Sequence, residues 1–266
     1  MPAAIKLSSP ATKEFWEIPV LFEDEHLLAL DKPSGLLTSP DRYALERPSL
    51  MQLLHAAITL GKPWARERGL TYLVNAQRLD VETSGVLLLA KTKPVLVALA
   101  NLFSAEKSVR IYLALVQGTP EQDRFVVNAP IGPNQIKLGR MRIDRDHGKK
   151  SRTDFEVVEK FSGSTLLRCR PQVDRPHQVR VHLQFSHLPI AGDFAYGGQP
   201  LFLSRLKPDY RLKGDKEERP LIGSAALHAE RLELNHPITG EPLNIIAECP
   251  KDLKVTLKYL RRYAQV

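Results

Sequence analysis

Asn75-Ala76-Gln77-Arg78-Leu79-Asp80-Val81-Glu82-Thr83-Ser84-Gly85-Val86-Leu87-Leu88-Leu89-Ala90-Lys91 is the stretch from which the rest of this chain is read. Its second half, Val86 to Ala90, is a short apolar run entered through Ser84-Gly85 and left at Lys91, the pattern of a buried strand led in by a turn. Its first half sets a cation, Arg78, and two carboxylates, Asp80 and Glu82, at alternate positions. An extended backbone would place all three on one face and turn Leu79 and Val81 inward. Taken alone, the pattern also fits a solvated, charged turn ahead of a strand, with Gly85 explained by turn chemistry.

Outward from this stretch the elements follow from periodicity. Val20 to Phe22 and Leu27 to Leu30 read as short strands, the second ended by Asp31-Lys32-Pro33-Ser34-Gly35. Ser49 and Gln52 form a capping-box pattern ahead of Leu50, Leu53, Leu54, Ala57 and Ile58 at helical spacing. Lys62 to Gly69 reads as a loop. Pro94 opens a second helix with Leu96, Leu99, Leu102 and Phe103 inward. Val109, Ile111, Leu113 and Leu115 alternate with Arg110, Tyr112 and Ala114, a strand that puts Tyr112 opposite the aliphatic face. Strands are expected at 125–131, 153–161, 165–171, 226–234 and 243–249, and a last helix at 252–263. Pro176 suits a helix first turn with Asp174 or Arg175 at the cap. Residues 1–17 read as a mobile tail, and 199–220 as a flexible, mixed-charge loop.

Composition narrows the class. At 266 residues, 43% hydrophobic and 26% charged, the chain can bury a sizeable core. No apolar run approaches about 18 residues and the N-terminus lacks an apolar signal core, so a soluble, cytoplasmic protein is expected. Cys169 and Cys249 form no CxxC pair and read as reduced thiols. The net charge of +8 favours a polyanionic partner. Seven Lys/Arg against two Asp fall between Lys137 and Arg152, so +5 of that +8 lies in one segment, either a solvated loop or a phosphate-tracking arm. His177, His182 and His187 recur every five residues, which spreads them about 140° apart on a helix. With no HExxH pattern, no metal site is assigned.

Five segments now carry a resemblance. Arg78-Leu79-Asp80-x-x-Thr83-Ser84-Gly85 with its aliphatic run resembles the catalytic motif of the RluA-type pseudouridine synthases. Asp31-Lys32-Pro33-Ser34-Gly35-Leu36 is similar to that family's first motif, which is mainly structural, and no chemistry is assigned to it. Val109-Arg110-Ile111-Tyr112-Leu113-Ala114-Leu115-Val116-x-Gly118 resembles the second. Arg175-Pro176-His177-Gln178-Val179-Arg180-Val181-His182-Leu183, ending in Gly192-Asp193-Phe194-Ala195-Tyr196-Gly197, resembles the third. Leu227-His228-Ala229 and His236-Pro237-x-Thr239-Gly240-Glu241 match the closing segment, so the likeness covers roughly residues 18 to 255.

The resemblance implies an α+β pseudouridine synthase fold: a bent, mainly antiparallel mixed sheet flanked by helices with a central basic cleft. It implies one catalytic domain over 18–266, with no N-terminal S4-like RNA-binding domain, since little sequence precedes Val20. It implies an isomerase acting on uridines in structured ribosomal or transfer RNA, without cofactor, metal, membrane or obligatory protein partner, and as a monomer. Asp80 would be the catalytic carboxylate, Tyr112 would lie against the target base, and Arg180 would pair with the aspartate. Arg78 would fill the space of the extruded base. Arg175, His177, Gln178, Lys137, Arg140, Arg142, Lys149 and Lys150 would contact RNA. Gln77, Asp174 and Pro176 depart from the family pattern where RNA is gripped, as does the exchange of Lys107 and Arg110, and they bear on substrate identity. The rival reading is a non-catalytic RNA-binding or ribosome-assembly protein on the same fold.

Overall fold

The computed structural model describes residues 4–41, 46–211 and 217–266. Two units emerge from its contacts: Met1–Val109 with Ala229–Glu248, and Arg110–His228 with Cys249–Val266, where the sequence suggests one domain. Residues 1–3 of the expected tail and 212–216 of the expected loop lie outside the described residues.

The first unit begins with a hairpin of β1 (Ile5–Ser9) and β2 (Glu14–Ile18), Ile5 opposite Ile18 and Leu7 opposite Trp16. Ile5 and Ile18 are fully buried, so this segment is not the mobile tail expected of it. The physical reason is the alternation of Ile5, Leu7 and Ser9 toward the interior, with Lys13 in the left-handed region (φ 57°) closing the turn. A second hairpin joins β3 (Val20–Glu23) to β4 (Leu27–Lys32). Helix α1 (Leu50–Thr59) starts at Ser49, whose Oγ accepts from the Gln52 N–H at 3.3 Å. Pro63 nucleates one further turn, α2 (Pro63–Glu67), where a loop is expected from the sequence. A short β5 (Val74–Asn75) leads through an irregular loop to β6 (Ser84–Ala90), and α3 (Lys93–Ser104) follows from its Thr92 cap.

The chain enters the second unit along β7 (Ser108–Gln117). It continues through β8 (Arg124–Asn128), the two-stranded ribbon β9 (Ile131–Pro133) and β10 (Met141–Ile143), β11 (Arg152–Phe161), β12 (Ser164–Pro171) and α4 (Gln178–Phe185). It returns to the first unit by β13 (Leu227–Asn235) and β14 (Pro242–Ile246), and closes in the second with α5 (Lys251–Tyr263).

The chain is thus α+β, with helices flanking its strands. Strand order in the first unit is β3-β4-β6-β13, with β14 on β13 and β5 on β6; in the second it is β7-β12-β11-β8. The pairs β3–β4, β4–β6, β13–β14, β7–β12, β12–β11 and β11–β8 are antiparallel. Leu27 to Leu30 and Val86 to Ala90 are buried on both faces, which is why both read as continuous apolar runs. Val95 and Leu99 of α3 pack on one of those faces with Leu27, Ala29, Val86 and Leu88. In the second unit, Val179 and Leu183 of α4 and Leu253, Leu257 and Leu260 of α5 pack with Leu115, Leu167 and Cys169. Each such leucine contributes about 1.5–3 kcal/mol of burial. The alternation expected of β7 fails at its start: Val109 is 45% exposed, whereas Arg110 is buried.

Candidate active site

In the first unit the chemistry-bearing residues lie on the loop between β5 and β6. It belongs to no strand, yet Arg78 is exposed, Leu79 buried and Asp80 half-buried, the alternation expected of an extended backbone, before the chain turns where the Asp80 carbonyl accepts from the Thr83 N–H at 3.1 Å. The segment after β4 holds this loop residue by residue. Thr38 Oγ1 donates to the Leu79 carbonyl (2.8 Å) and accepts from the Leu79 N–H (3.2 Å). The Gly35 N–H donates to the Val81 carbonyl at 2.8 Å, and Ser34 Oγ to the Glu82 carbonyl at 2.6 Å. The backbone is therefore fixed on both sides of Asp80, which leaves its carboxylate only side-chain torsions to lose when it reacts.

Lys32 completes the support. Its side chain is fully buried and Nζ donates to the carbonyls of Leu36 (2.7 Å), Pro33 (2.9 Å) and Val81 (3.4 Å). Burial pulls its pKa down to about 7, against the opposing pull of the Asp80 and Glu82 carboxylates. The sequence alone assigns this motif no chemistry, and its pattern of turn residues gives no hint of a buried ammonium. Gly85, at φ 111°, enters β6 where a Cβ would overlap the Ala229 carbonyl, so close backbone approach as well as turn geometry requires glycine.

In the second unit α4 starts at His177, in the left-handed region (φ 56°), and not on Pro176. Gln178 braces this entry. Its Oε1 accepts from the Arg175 N–H (3.2 Å), and Nε2 donates to the Arg152 carbonyl (3.0 Å) and Thr153 Oγ1 (3.1 Å). A residue expected at RNA is thus buried, with its amide bonded inside the protein. Arg180, 3% exposed, grips Asp193 with both ends of a fork: Nε to Oδ2 at 2.7 Å and Nη2 to Oδ1 at 2.8 Å. Its guanidinium also lies 4.9 Å from the centre of the Tyr196 ring. The Tyr196 hydroxyl is 2.6 Å from His177 Nδ1 and accepts from the Met141 N–H at 2.9 Å. Asp193 and Tyr196 stand in the quoted Gly-Asp-x-x-Tyr-Gly segment, but spacing alone does not show which cation they serve.

Tyr112 lies on β7 opposite Cys169 of β12, half-buried against the core of its unit. His182 is fully buried between Thr153 Oγ1 (2.9 Å from Nδ1) and the Ala129 carbonyl (3.0 Å from Nε2), and burial lowers its pKa. Of the basic segment, Lys137, Arg142, Lys149 and Lys150 are exposed, and Arg142 lies 3.3 Å from Asp144. Arg140 differs. Its Nη1 donates to the Ala195 carbonyl at 2.6 Å, anchoring the ribbon. Arg175 is half-exposed, its Nε 3.4 Å from the Lys150 carbonyl.

Residues 26–185 match the model of the family described as RNA pseudouridylate synthase. The chain is 38% identical over 244 residues to ribosomal large subunit pseudouridine synthase D of Nitrosomonas europaea, covering 92% of this chain and 65% of that protein. It is 35% identical over 244 residues to ribosomal large subunit pseudouridine synthase C of Escherichia coli, covering 91% of this chain and 70% of that protein. Among solved structures it is similar to human RNA pseudouridylate synthase domain containing 4. That comparison gives 26% identity, a TM-score of 0.66, and coverage of 91% of this chain and 92% of that one.

Proposed function

Because the chain belongs to the RNA pseudouridylate synthase family, we propose that it is an isomerase converting uridine to pseudouridine in large-subunit ribosomal RNA. The reaction breaks the bond from base N1 to sugar C1′ and rejoins the base through C5. The C5 proton leaves and N1 gains one, so no net oxidant, reductant or group donor is consumed. Its requirement is one ionised carboxylate at the sugar, and Asp80 takes that part. As a nucleophile it forms an ester at C1′ that C5 later displaces. As a base it removes the C2′ proton while the C1′–N1 bond breaks, giving a glycal to which C5 adds at C1′ as the proton returns to C2′.

The observation that carries this reading is the Asp80 loop, pinned by Ser34, Gly35 and Thr38 within the family-matching residues. Arg180 is assigned the task of keeping the catalytic carboxylate ionised; a neighbouring cation lowers an aspartate pKa by about 1–3 units. Tyr112 is assigned to the extruded uracil, where aromatic stacking is worth about 1–3 kcal/mol. Arg78, exposed on the Asp80 loop, takes the space the base leaves. Lys137, Arg142, Lys149, Lys150, Arg175 and His177 are assigned to the RNA. No described helix is long and apolar enough to cross a membrane. We further take the enzyme to be a monomer acting in the cytoplasm, where its proposed ribosomal substrate is.

Incubation of the protein with unmodified transcripts of large-subunit ribosomal RNA and of transfer RNAs, followed by pseudouridine mapping, tests this. Modification at defined positions of the ribosomal transcript is expected. Modification of transfer RNA alone reassigns the substrate, and none on either transcript favours the non-catalytic RNA-binding reading.

A further inference from the structure

The ribbon of β9 and β10 ends in a built loop with an unusual surface. The Asn134 N–H donates to the Arg140 carbonyl at 2.8 Å, and the Arg140 N–H to the Lys137 carbonyl at 3.1 Å. Asn134 Oδ1 accepts from the N–H groups of Ile136 (3.0 Å) and Lys137 (2.9 Å), so the loop is closed by its own hydrogen bonds. On it, Ile136 is 92% exposed and Leu138 74% exposed. Single exposed aliphatics are ordinary; two large ones a residue apart on an ordered tip present apolar surface that no described residue of the second unit covers.

The base of the ribbon is fastened by three contacts. Arg140 Nη1 donates to the Ala195 carbonyl, the Met141 N–H donates to the Tyr196 hydroxyl, and Ile131 packs with Val181 and Tyr196. The tip is therefore held out from the element that seats Arg180. Around it the exposed cations are Lys137 and Arg142, with Arg145, Lys149 and Lys150 on the next turn. An exposed apolar tip on a segment with a net excess of cations suits a polyanion whose apolar parts can be reached, which describes nucleic acid with unstacked bases.

Resting on the proposed RNA substrate, we propose that Ile136 and Leu138 form a wedge that inserts against bases of the target RNA while Lys137 and Arg142 hold the flanking phosphates. The wedge explains why a segment carrying much of the chain's net charge puts aliphatics at its foremost point. A second copy of this chain would be the alternative occupant of an exposed apolar tip, but the surrounding cations repel their own kind.

The test uses the full chain and an unmodified large-subunit ribosomal RNA transcript, comparing wild type, Ile136→Ser with Leu138→Ser, and Lys137→Gln with Arg142→Gln. For the serine pair, KM is expected to rise about tenfold, for lost apolar burial, with kcat within about twofold and the salt dependence of KM unchanged. For the glutamine pair the salt dependence should flatten, since each lost phosphate contact removes about 0.7–0.9 from the slope of log affinity on log salt. A serine pair with unchanged KM, or with a slope that falls as it does for the glutamine pair, overturns the wedge. So does a wild-type dimer in sedimentation that the serine pair abolishes. Inactive wild type would instead defeat the functional reading, so the two failures are distinguishable.

Discussion

Each unit buries a cation beside its chemistry, and the two are held in opposite ways. Arg180 is matched by a carboxylate, Asp193, through two charge-assisted hydrogen bonds at 2.7 and 2.8 Å. Lys32 is ringed by carbonyl oxygens, and the carboxylates that act on it, Asp80 and Glu82, oppose rather than cancel the cost of its burial. A guanidinium in an ion pair stays charged across the working range. An ammonium held by carbonyl dipoles, with its pKa near 7, does not. The support beneath the Asp80 loop is therefore sensitive to pH, while the seat of Arg180 is built on a bidentate ion pair.

Breaking that pair should have the largest effect. Asp193→Ala breaks a buried, bidentate ion pair and should lower the unfolding free energy by about 3–5 kcal/mol in urea titrations. Arg180→Met combined with Asp193→Leu should recover most of it, because an apolar pair of similar volume carries no desolvation cost. A double variant no better than the single would break the comparison.

Lys32→Met tests the other side. The folded pKa lies below the unfolded value of about 10.4, so between about pH 7 and 10 the unfolded chain binds more protons and stability rises with pH. Below about pH 7 the ammonium is charged in both states and gives no slope. Lys32→Met should remove that alkaline gain, and should cost about 1–3 kcal/mol for carbonyls left unpaired, read from urea midpoints between about pH 6 and 9. An identical slope in wild type and variant would contradict the account.

Asp31 sits beside Lys32 on β4 and sharpens the comparison with a shift that runs the other way. Burial first, and Glu248 second, raise its pKa to about 6. The folded chain then holds an extra proton between about pH 4 and 6, and stability falls as pH rises through that window. Asp31→Asn should be more stable than wild type by about 1–2 kcal/mol at about pH 7.5, after discounting for partial exposure, and equal to it near pH 4. The smallest effect is expected of Ser34→Ala, which removes one bond to the Glu82 carbonyl and should cost about 1 kcal/mol.

The same contrast marks what can be read from the chain without its structure. Segments buried on both faces, such as β4 and β6, a capped helix such as α1 and a striped one such as α5 declare themselves through residues near in sequence. The β1–β2 hairpin does not, because its strands are five residues each and its turn needs Lys13 in a left-handed conformation. Asp80, Tyr112 and Arg180 come from motif likeness. Their supports do not, because each spans a gap without local periodicity: Thr38 to Leu79, Lys32 to Val81, Arg180 to Asp193. The RNA contacts expected of Gln178 and Arg140 meet side chains bonded inside the protein, which residue type alone does not disclose.

Release of tritium from C5-labelled uridine in the ribosomal transcript, under single-turnover conditions with enzyme in excess, reaches the central claim most directly. For Asp80→Ala and Asp80→Asn the account predicts RNA binding within about threefold of wild type and a rate lower by at least about 1,000-fold, the order expected when a reacting group is lost. Release by either variant within about tenfold of wild type would show that this carboxylate does not perform the reaction.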